Sequence, residues 1–154
     1  VMRSFRYGGA SHGGTYTAHS VSLAAAEECL RILDETPALE TIATYGNRLK
    51  QGISALLNAR GIPHSYAGHD SMFGLFFAPE PPDNYRAWKT SDYSFYDRMA
   101  HYLHDLNIIV EPDSREPWFI CEAHGLDATC LTDTLKAVEQ AVDLTLQDME
   151  DAAE

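Results

Sequence analysis

The residues whose types and spacing best suit chemistry are Gly13-Gly14-Thr15-Tyr16-Thr17-Ala18-His19-Ser20, followed at once by the apolar run Val21 to Leu33. Glycines let backbone amides approach a ligand closely, and the first turn of a helix presents unpaired N–H groups and a partial positive charge. Thr15 and Thr17 add hydroxyl donors at the same place, a set of groups that suits a phosphate. Taken alone, a Gly-Gly-Thr turn before a helix is a turn and a cap, so the anion-site reading needs support from elsewhere in the chain. A second cluster, Glu111-Pro112-Asp113-Ser114-Arg115-Glu116-Pro117, sets four ionisable groups just before an apolar strand. Locally it reads as a charged surface loop, although loops between strands carry a disproportionate share of site residues.

Other chemical patterns are weaker. His101 and His104 stand three apart on a predicted helix with no third ligand at a matching spacing, so they read as a solvated helix face and no metal site is assigned. His12 and His19 flank the opening motif and read as exposed loop histidines. No Gly-x-Ser-x-Gly elbow occurs. The three lysines, Lys50, Lys89 and Lys136, fall on predicted helix surfaces or polar loops, and none reads as a desolvated Schiff-base amine.

The 154 residues suit one domain with a sizeable core, and an apolar share of 45% with 22% charged residues is ordinary for a globular protein. A formal charge of −12 argues against nucleic acid and anionic membranes as partners. No apolar run approaches the ~20 residues of a membrane span. Cys29, Cys121 and Cys130 are odd in number and far apart, which fits reduced thiols and a cytoplasmic setting. The chain opens inside a loop-like segment, Val1 to Ser11, carrying Arg3 and Arg6, and reads as a piece of something longer.

The elements that must position these groups follow from periodicity. Residues 19–34 form a helix that is apolar on more than one face, expected to be covered on several sides and hinting at a partner surface. Thr36-Pro37 predicts the N-cap and first position of a long helix, with Leu39, Ile42, Leu49, Ile53 and Leu56 as its stripe and Gly61 as its stop. Strands are predicted at 62–67, 71–78, 108–110 and 118–121, with the second apolar on both faces and therefore central. Gly68-His69-Asp70 turns the chain between the first two, and residues 79–85 make a proline-rich loop. Ser91 caps a third helix, and a last one runs over 129–147. The result is an α+β two-layer domain in which helices pack on one face of a small, mostly antiparallel sheet, preceded by a long helix. The segments are 1–18 as a Gly-rich loop, 19–60 as a helical linker, 61–147 as the α+β domain and 148–154 as an acidic tail.

Three motifs in this order now resemble one family. They are Gly14-Thr15 opening an alanine-rich helix, Ser71-Met72-Phe73-Gly74-Leu75-Phe76-Phe77, and Glu116-x-Trp118-Phe119-Ile120-x-x-Ala123-His124. They look like the C-terminal third of glutamate-1-semialdehyde 2,1-aminomutase, among the class III aminotransferases of the fold-type-I pyridoxal phosphate enzymes. The resemblance implies that Thr15, with Gly14, hydrogen-bonds a cofactor phosphate held mainly by the other subunit of a homodimer. It implies that Glu116 lies near the substrate end, where most class III aminotransferases carry an arginine, and an acid there repels a second carboxylate. The substrate it implies is small and amino-acid-like.

Departures from the pattern bear on the substrate. Gly-Thr is usually followed by a hydroxyl, Gly, Asn and Pro, whereas here the run is Tyr16-Thr17-Ala18-His19-Ser20. Trp118 stands where glycine is common, which is expected to narrow or reshape the substrate pocket. The cofactor's lysine, the aspartate that pairs its ring nitrogen and most phosphate ligands lie upstream in the family, outside this chain. The chain is therefore expected to be inactive alone, with no catalytic residue of its own. The competing expectation is a non-catalytic α+β module that dimerises or binds a small anion.

Overall fold

The computed structural model describes Arg3 and residues 13–152. His12, Arg6, the rest of the Val1 to Ser11 segment and the last two residues of the acidic tail lie outside the described residues. The chain divides into two compact units, Val1–Pro37 and Ala38–Glu154.

The first unit contains helix α1 (Ser20–Glu35), and the His19 ring caps it by accepting from the Ser22 N–H. Arg31 reaches both Glu28 and Glu35 one turn away, a surface pairing that supports the helix modestly. None of the residues of α1 is buried, and Val21 and Leu30 are 70% and 66% exposed. Thr36 does not open the next helix as predicted. It closes α1 instead, its hydroxyl and its N–H both donating to the Ile32 carbonyl at 2.7 and 3.0 Å.

The second unit opens with α2 (Ala38–Ala59), whose buried side is Ala38, Tyr45, Gly46, Leu49, Ile53 and Leu57. Leu39, placed on the apolar stripe, is exposed because the buried face is rotated toward Tyr45 and Leu57. Gly61, at φ +66°, ends the helix as predicted, with the Ile62 N–H returning to the Leu57 carbonyl. Strands β1 (Ser65–His69) and β2 (Met72–Phe76) pair antiparallel, so the tight turn is Asp70-Ser71 and not Gly68-His69-Asp70. Asn84 caps a one-turn helix, α3 (Tyr85–Trp88), in a region read as loop. Helix α4 (Tyr93–Asp105) is capped by Asp92, not Ser91, whose hydroxyl is spent on the Trp88 carbonyl at 2.6 Å. Strand β3 (Trp118–Phe119) pairs antiparallel with β2, and α5 (Glu122–Leu126) and α6 (Cys130–Asp151) complete the unit.

The sheet order is β1-β2-β3, with β2 central as expected. Its predicted second apolar face stays open. Phe73, Leu75 and Trp118 point into a core with Ile53, Leu57, Tyr96, Met99, Leu103, Val138 and Val142, while Met72 and Phe119 on the other side are 48% and 69% exposed. Each fully buried aliphatic or aromatic side chain contributes roughly 1.5–3 kcal/mol. The predicted strand 108–110 forms no ladder, because the end of α4 captures its backbone. The Ile108 N–H donates to the Leu103 carbonyl at 2.8 Å, and the His104 ring bonds the Val110 carbonyl at 2.6 Å. Asn107 sits between them at φ +62°, the left-handed position that closes the helix.

Two polar contacts fasten the layers. Arg60 spans from α2 to α6 with Nε on Asp143 at 2.6 Å and Nη2 on Glu139 at 3.2 Å, and it holds the Asp143 carboxyl below the usual range. Lys50 pairs with Asp70, with its ammonium 5.6 Å from the centre of the Phe73 ring. The fold is thus α+β, with α2, α4 and α6 on the covered face of a three-stranded antiparallel sheet.

Candidate functional site

Gly14 immediately precedes and Thr15 opens a turn over residues 15–18, held by the Thr17 N–H on the Gly14 carbonyl (3.0 Å) and the His19 N–H on the Tyr16 carbonyl (3.1 Å). A Cβ on Gly14 would stand 3.2 Å from the Thr17 hydroxyl oxygen, so glycine keeps that side of the turn open. Ala18 takes φ +60° to lead the chain into His19 and α1. Thr15 is exposed, and among the described residues its hydroxyl makes no hydrogen bond. An exposed hydroxyl beside a glycine-flanked amide run is a donor set that fits a phosphate oxygen.

Glu116 lies in the second unit, exposed, on a loop folded back by its own N–H on the Asp113 carbonyl at 2.9 Å. Within that loop Arg115 grips Asp113, with Nε 2.9 and 3.0 Å from the two carboxylate oxygens, and holds the Asp113 carboxyl below its usual range. The same guanidinium lies 5.0 Å from the centre of the Trp88 ring, and Trp88 Nε1 donates to the Ser114 hydroxyl at 2.8 Å. The loop is therefore pinned at its middle, and Glu116 is its free acid at the end nearest β3.

Trp118 was expected to crowd a pocket beside Glu116. Its indole is buried in the core, 5% exposed and tilted against Phe73 at 5.9 Å, and it also forms part of a cleft wall. Its Nε1 donates to the Tyr96 hydroxyl at 2.8 Å, which in turn donates to the Glu111 carbonyl at 2.9 Å. Burial pushes the Tyr96 phenol up to about 12, so it remains a donor across the physiological range. This relay ties the two ends of the 111–117 loop to α4.

Beside the relay is a cleft of about 270 Å³, lined by Tyr45 and Leu49 of α2, residues 108–111 and 117–120, His124 of α5 and Thr134 of α6. The His124 ring rests near Tyr45 at 5.6 Å, and its Nδ1 accepts from the Cys121 N–H at 3.0 Å. The Tyr45 hydroxyl meets the Cys130 thiol at 3.2 Å, and burial pushes its phenol up to about 12. Sequence reading did not single out Tyr45 or this cleft. Its walls come from separate segments whose meeting no local spacing records, although Glu111, Pro117, Trp118, Phe119, Ile120 and His124 belong to the cluster and the motif singled out in the sequence.

Among the described residues no group of three or more His, Cys, Asp or Glu is placed to hold a metal ion. His101 is exposed, as a solvated face requires. Cys29, Cys121 and Cys130 are all free thiols. Of the lysines, Lys50 departs from the surface reading. Its side chain is only 18% exposed, but its ammonium is neutralised by Asp70 between aromatic rings. No helix among the described residues is long and apolar enough to cross a membrane.

No family model matches the chain. Its sequence is 31% identical over 128 residues to glutamate-1-semialdehyde 2,1-aminomutase 2 of Bacillus velezensis, a match that takes in 82% of this chain and 29% of that protein. Its fold superimposes on the PLP internal aldimine form of the Sphingopyxis sp. MTA144 FumI protein with a TM-score of 0.72 at 27% identity, over 92% of this chain and 31% of that one. An omega-transaminase from Sphaerobacter thermophilus follows with a TM-score of 0.71 at 26% identity, over 88% and 30%. The chain spans about 30% of the length of the proteins it matches. The resemblance read from the motifs holds: aminomutase matches the chain by sequence, and transaminases match it by fold.

Proposed function

We propose that this chain is a portion of a pyridoxal-phosphate-dependent enzyme of the class III aminotransferase and aminomutase type, acting in amino-group transfer on a small amino-acid-like substrate. What carries the reading is the aminomutase match across 82% of the chain together with the transaminase fold. In this reading Thr15 donates its hydroxyl, and the Gly14-Thr15 turn its amides, to the phosphate of pyridoxal 5′-phosphate. Glu116 stands toward the substrate and disfavours an approaching carboxylate. The cofactor, when bound, supplies the electron sink for bond breaking at the amino carbon. The residues of this chain hold and orient, and none of its lysines serves the reacting centre, since Lys50 is committed to Asp70.

The reading includes a homodimer in the cytoplasm. The uncovered apolar positions of α1, Val21, Leu23, Leu30 and Ile32, support a covering by a further surface, because an open apolar face of that extent marks an interaction site. The deciding experiment adds pyridoxal phosphate to this chain alone and to the chain joined to a segment homologous to the remainder of its relatives. The joined protein should develop a visible absorbance band that borohydride fixes, and the chain alone should not. A joined, folded protein with no such band overturns the proposal.

A further inference from the structure

We infer that the cavity between α3, α4 and residues 112–115 binds a guanidinium group from outside the chain, laid along the Tyr93 ring and held by the Asp97 carboxylate. The cavity has a volume of about 260 Å³ and is lined by Trp88, Tyr93, Asp97, Pro112, Asp113 and Arg115. It shares no lining residue with the cleft beside the Trp118 relay, and the inference does not rest on the amino-transfer reading. Two carboxylates meet a single guanidinium here. Arg115 grips Asp113 and lies 5.0 Å from the centre of the Trp88 ring, within reach of a cation–π contact. Asp97, in contrast, makes no hydrogen bond or ion pair among the described residues. Burial and the like charge of Asp113 push its carboxyl up, the state of an acid short of a cationic partner.

The cluster already displays the chemistry that suits the Asp97 side. A guanidinium is planar, gives a carboxylate paired hydrogen bonds, stacks on aromatic faces and sheds water more readily than an ammonium. Arg115 pairs with a carboxylate and a ring in this way. Tyr93 stacks on Trp88 with ring centres 4.8 Å apart and 28° between their planes, and it is 41% exposed, so a further plane can lie against it. An anion would instead meet the net negative charge of Asp97, Asp113 and Arg115 taken together. The walls are set beforehand. Asn84 caps α3, Asp92 caps α4 through the Phe95 N–H at 3.1 Å, and Trp88 Nε1 donates to the buried Ser114 hydroxyl at 2.8 Å. A site formed in advance loses little ordering entropy on binding.

The test titrates the isotope-labelled chain with butylguanidinium, butylammonium and the peptide Gly-Gly-Arg-Gly-Gly while amide and indole resonances are followed. Butylguanidinium should give saturable shifts clustered at Trp88, Tyr93, Asp97 and Arg115, and butylammonium should bind more weakly. Asp97→Asn should weaken butylguanidinium by about fivefold, the upper worth of an exposed ion pair. Tyr93→Leu should weaken it by about two- to fivefold, the worth of an exposed cation–π contact. Asp105→Asn, at an exposed carboxylate two turns further along α4, should leave binding unchanged and so separates this site from the general negative charge of the chain. Peptide binding at least as tight as that of butylguanidinium assigns the group to an arginine of a protein partner, and weaker peptide binding assigns it to a small molecule. Absence of saturable shifts at these residues, equal binding of butylammonium, or undiminished binding by Asp97→Asn overturns the inference.

Discussion

Gly46→Ala is expected to cost the second unit about 3 kcal/mol or more, although alanine is the better helix former by about 1 kcal/mol. A Cβ at this position would overlap the Asp70 carbonyl oxygen and stand 2.8 Å from the carbonyl carbon. The obstacle is backbone at the tip of the β1–β2 hairpin, so it cannot yield by changing a rotamer. Relief requires the hairpin to lift from α2, which would also strain the Lys50–Asp70 pair. Gly52→Ala is the matched control on the same helix. Its Cβ would meet only the end of the Leu135 side chain, at 2.6 Å, and a flexible side chain can move. Denaturant unfolding of both variants should show a large fall in midpoint for Gly46→Ala and a much smaller change for Gly52→Ala.

Trp118→Ala is expected to cost about 3–5 kcal/mol, the range for emptying a large aromatic site in a core. The indole is 5% exposed, packs on Phe73 and supplies the hydrogen bond that the Tyr96 hydroxyl accepts. Its loss leaves a cavity behind the central strand and weakens the relay that holds the Glu111 carbonyl. Against a typical domain stability of about 5–15 kcal/mol, that is a large share. The adjacent Phe119→Ala should be within about 0.5 kcal/mol of neutral, because that ring is 69% exposed. Thermal unfolding of the pair separates a core indole from one that merely fills a substrate pocket. Equal, small losses would contradict the core assignment.

The parts of the fold legible in the sequence were those set by local periodicity and punctuation. The long helix, its stop at Gly61, the central position of the Met72–Phe76 strand and the α+β class all follow from spacings within about twenty residues. What the sequence did not disclose depends on groups brought from afar. Ser91 looks as good a cap as Asp92, and only the Trp88 carbonyl, which takes the Ser91 hydroxyl, decides between them. Residues 108–110 have strand composition, yet the closing turn of α4 claims their amide and carbonyl groups. Trp118 beside Glu116 suggested a pocket wall, and the structure shows that the same indole is also a core residue, packed on Phe73 and bonded to Tyr96, because successive strand residues face opposite ways and the buried face was not known.

The same division applies to the candidate site. Thr15 and Glu116 were visible as residue types in motifs, and the structure leaves both side chains exposed to act. The cleft was not visible, since Tyr45, Glu111, Trp118 and His124 come from four places in the chain. Lys50 was misread for a related reason. On a helix wheel it is a surface lysine, but the hairpin tip folds over it and brings Asp70, Tyr66 and Phe73.

The affinity of the joined protein for pyridoxal 5′-phosphate, measured for the unaltered Thr15, for Thr15→Ala and for Thr15→Ser, decides whether the Gly14-Thr15 turn grips the cofactor phosphate. A hydrogen bond from a hydroxyl to a charged phosphate contributes about 1.5–3 kcal/mol, or roughly 10- to 100-fold in affinity. Thr15→Ala should weaken binding by that factor, and Thr15→Ser should restore most of it while leaving the folded state unchanged. If Thr15→Ala binds the cofactor as tightly as the unaltered protein, the Gly14-Thr15 turn does not grip its phosphate and the account is wrong.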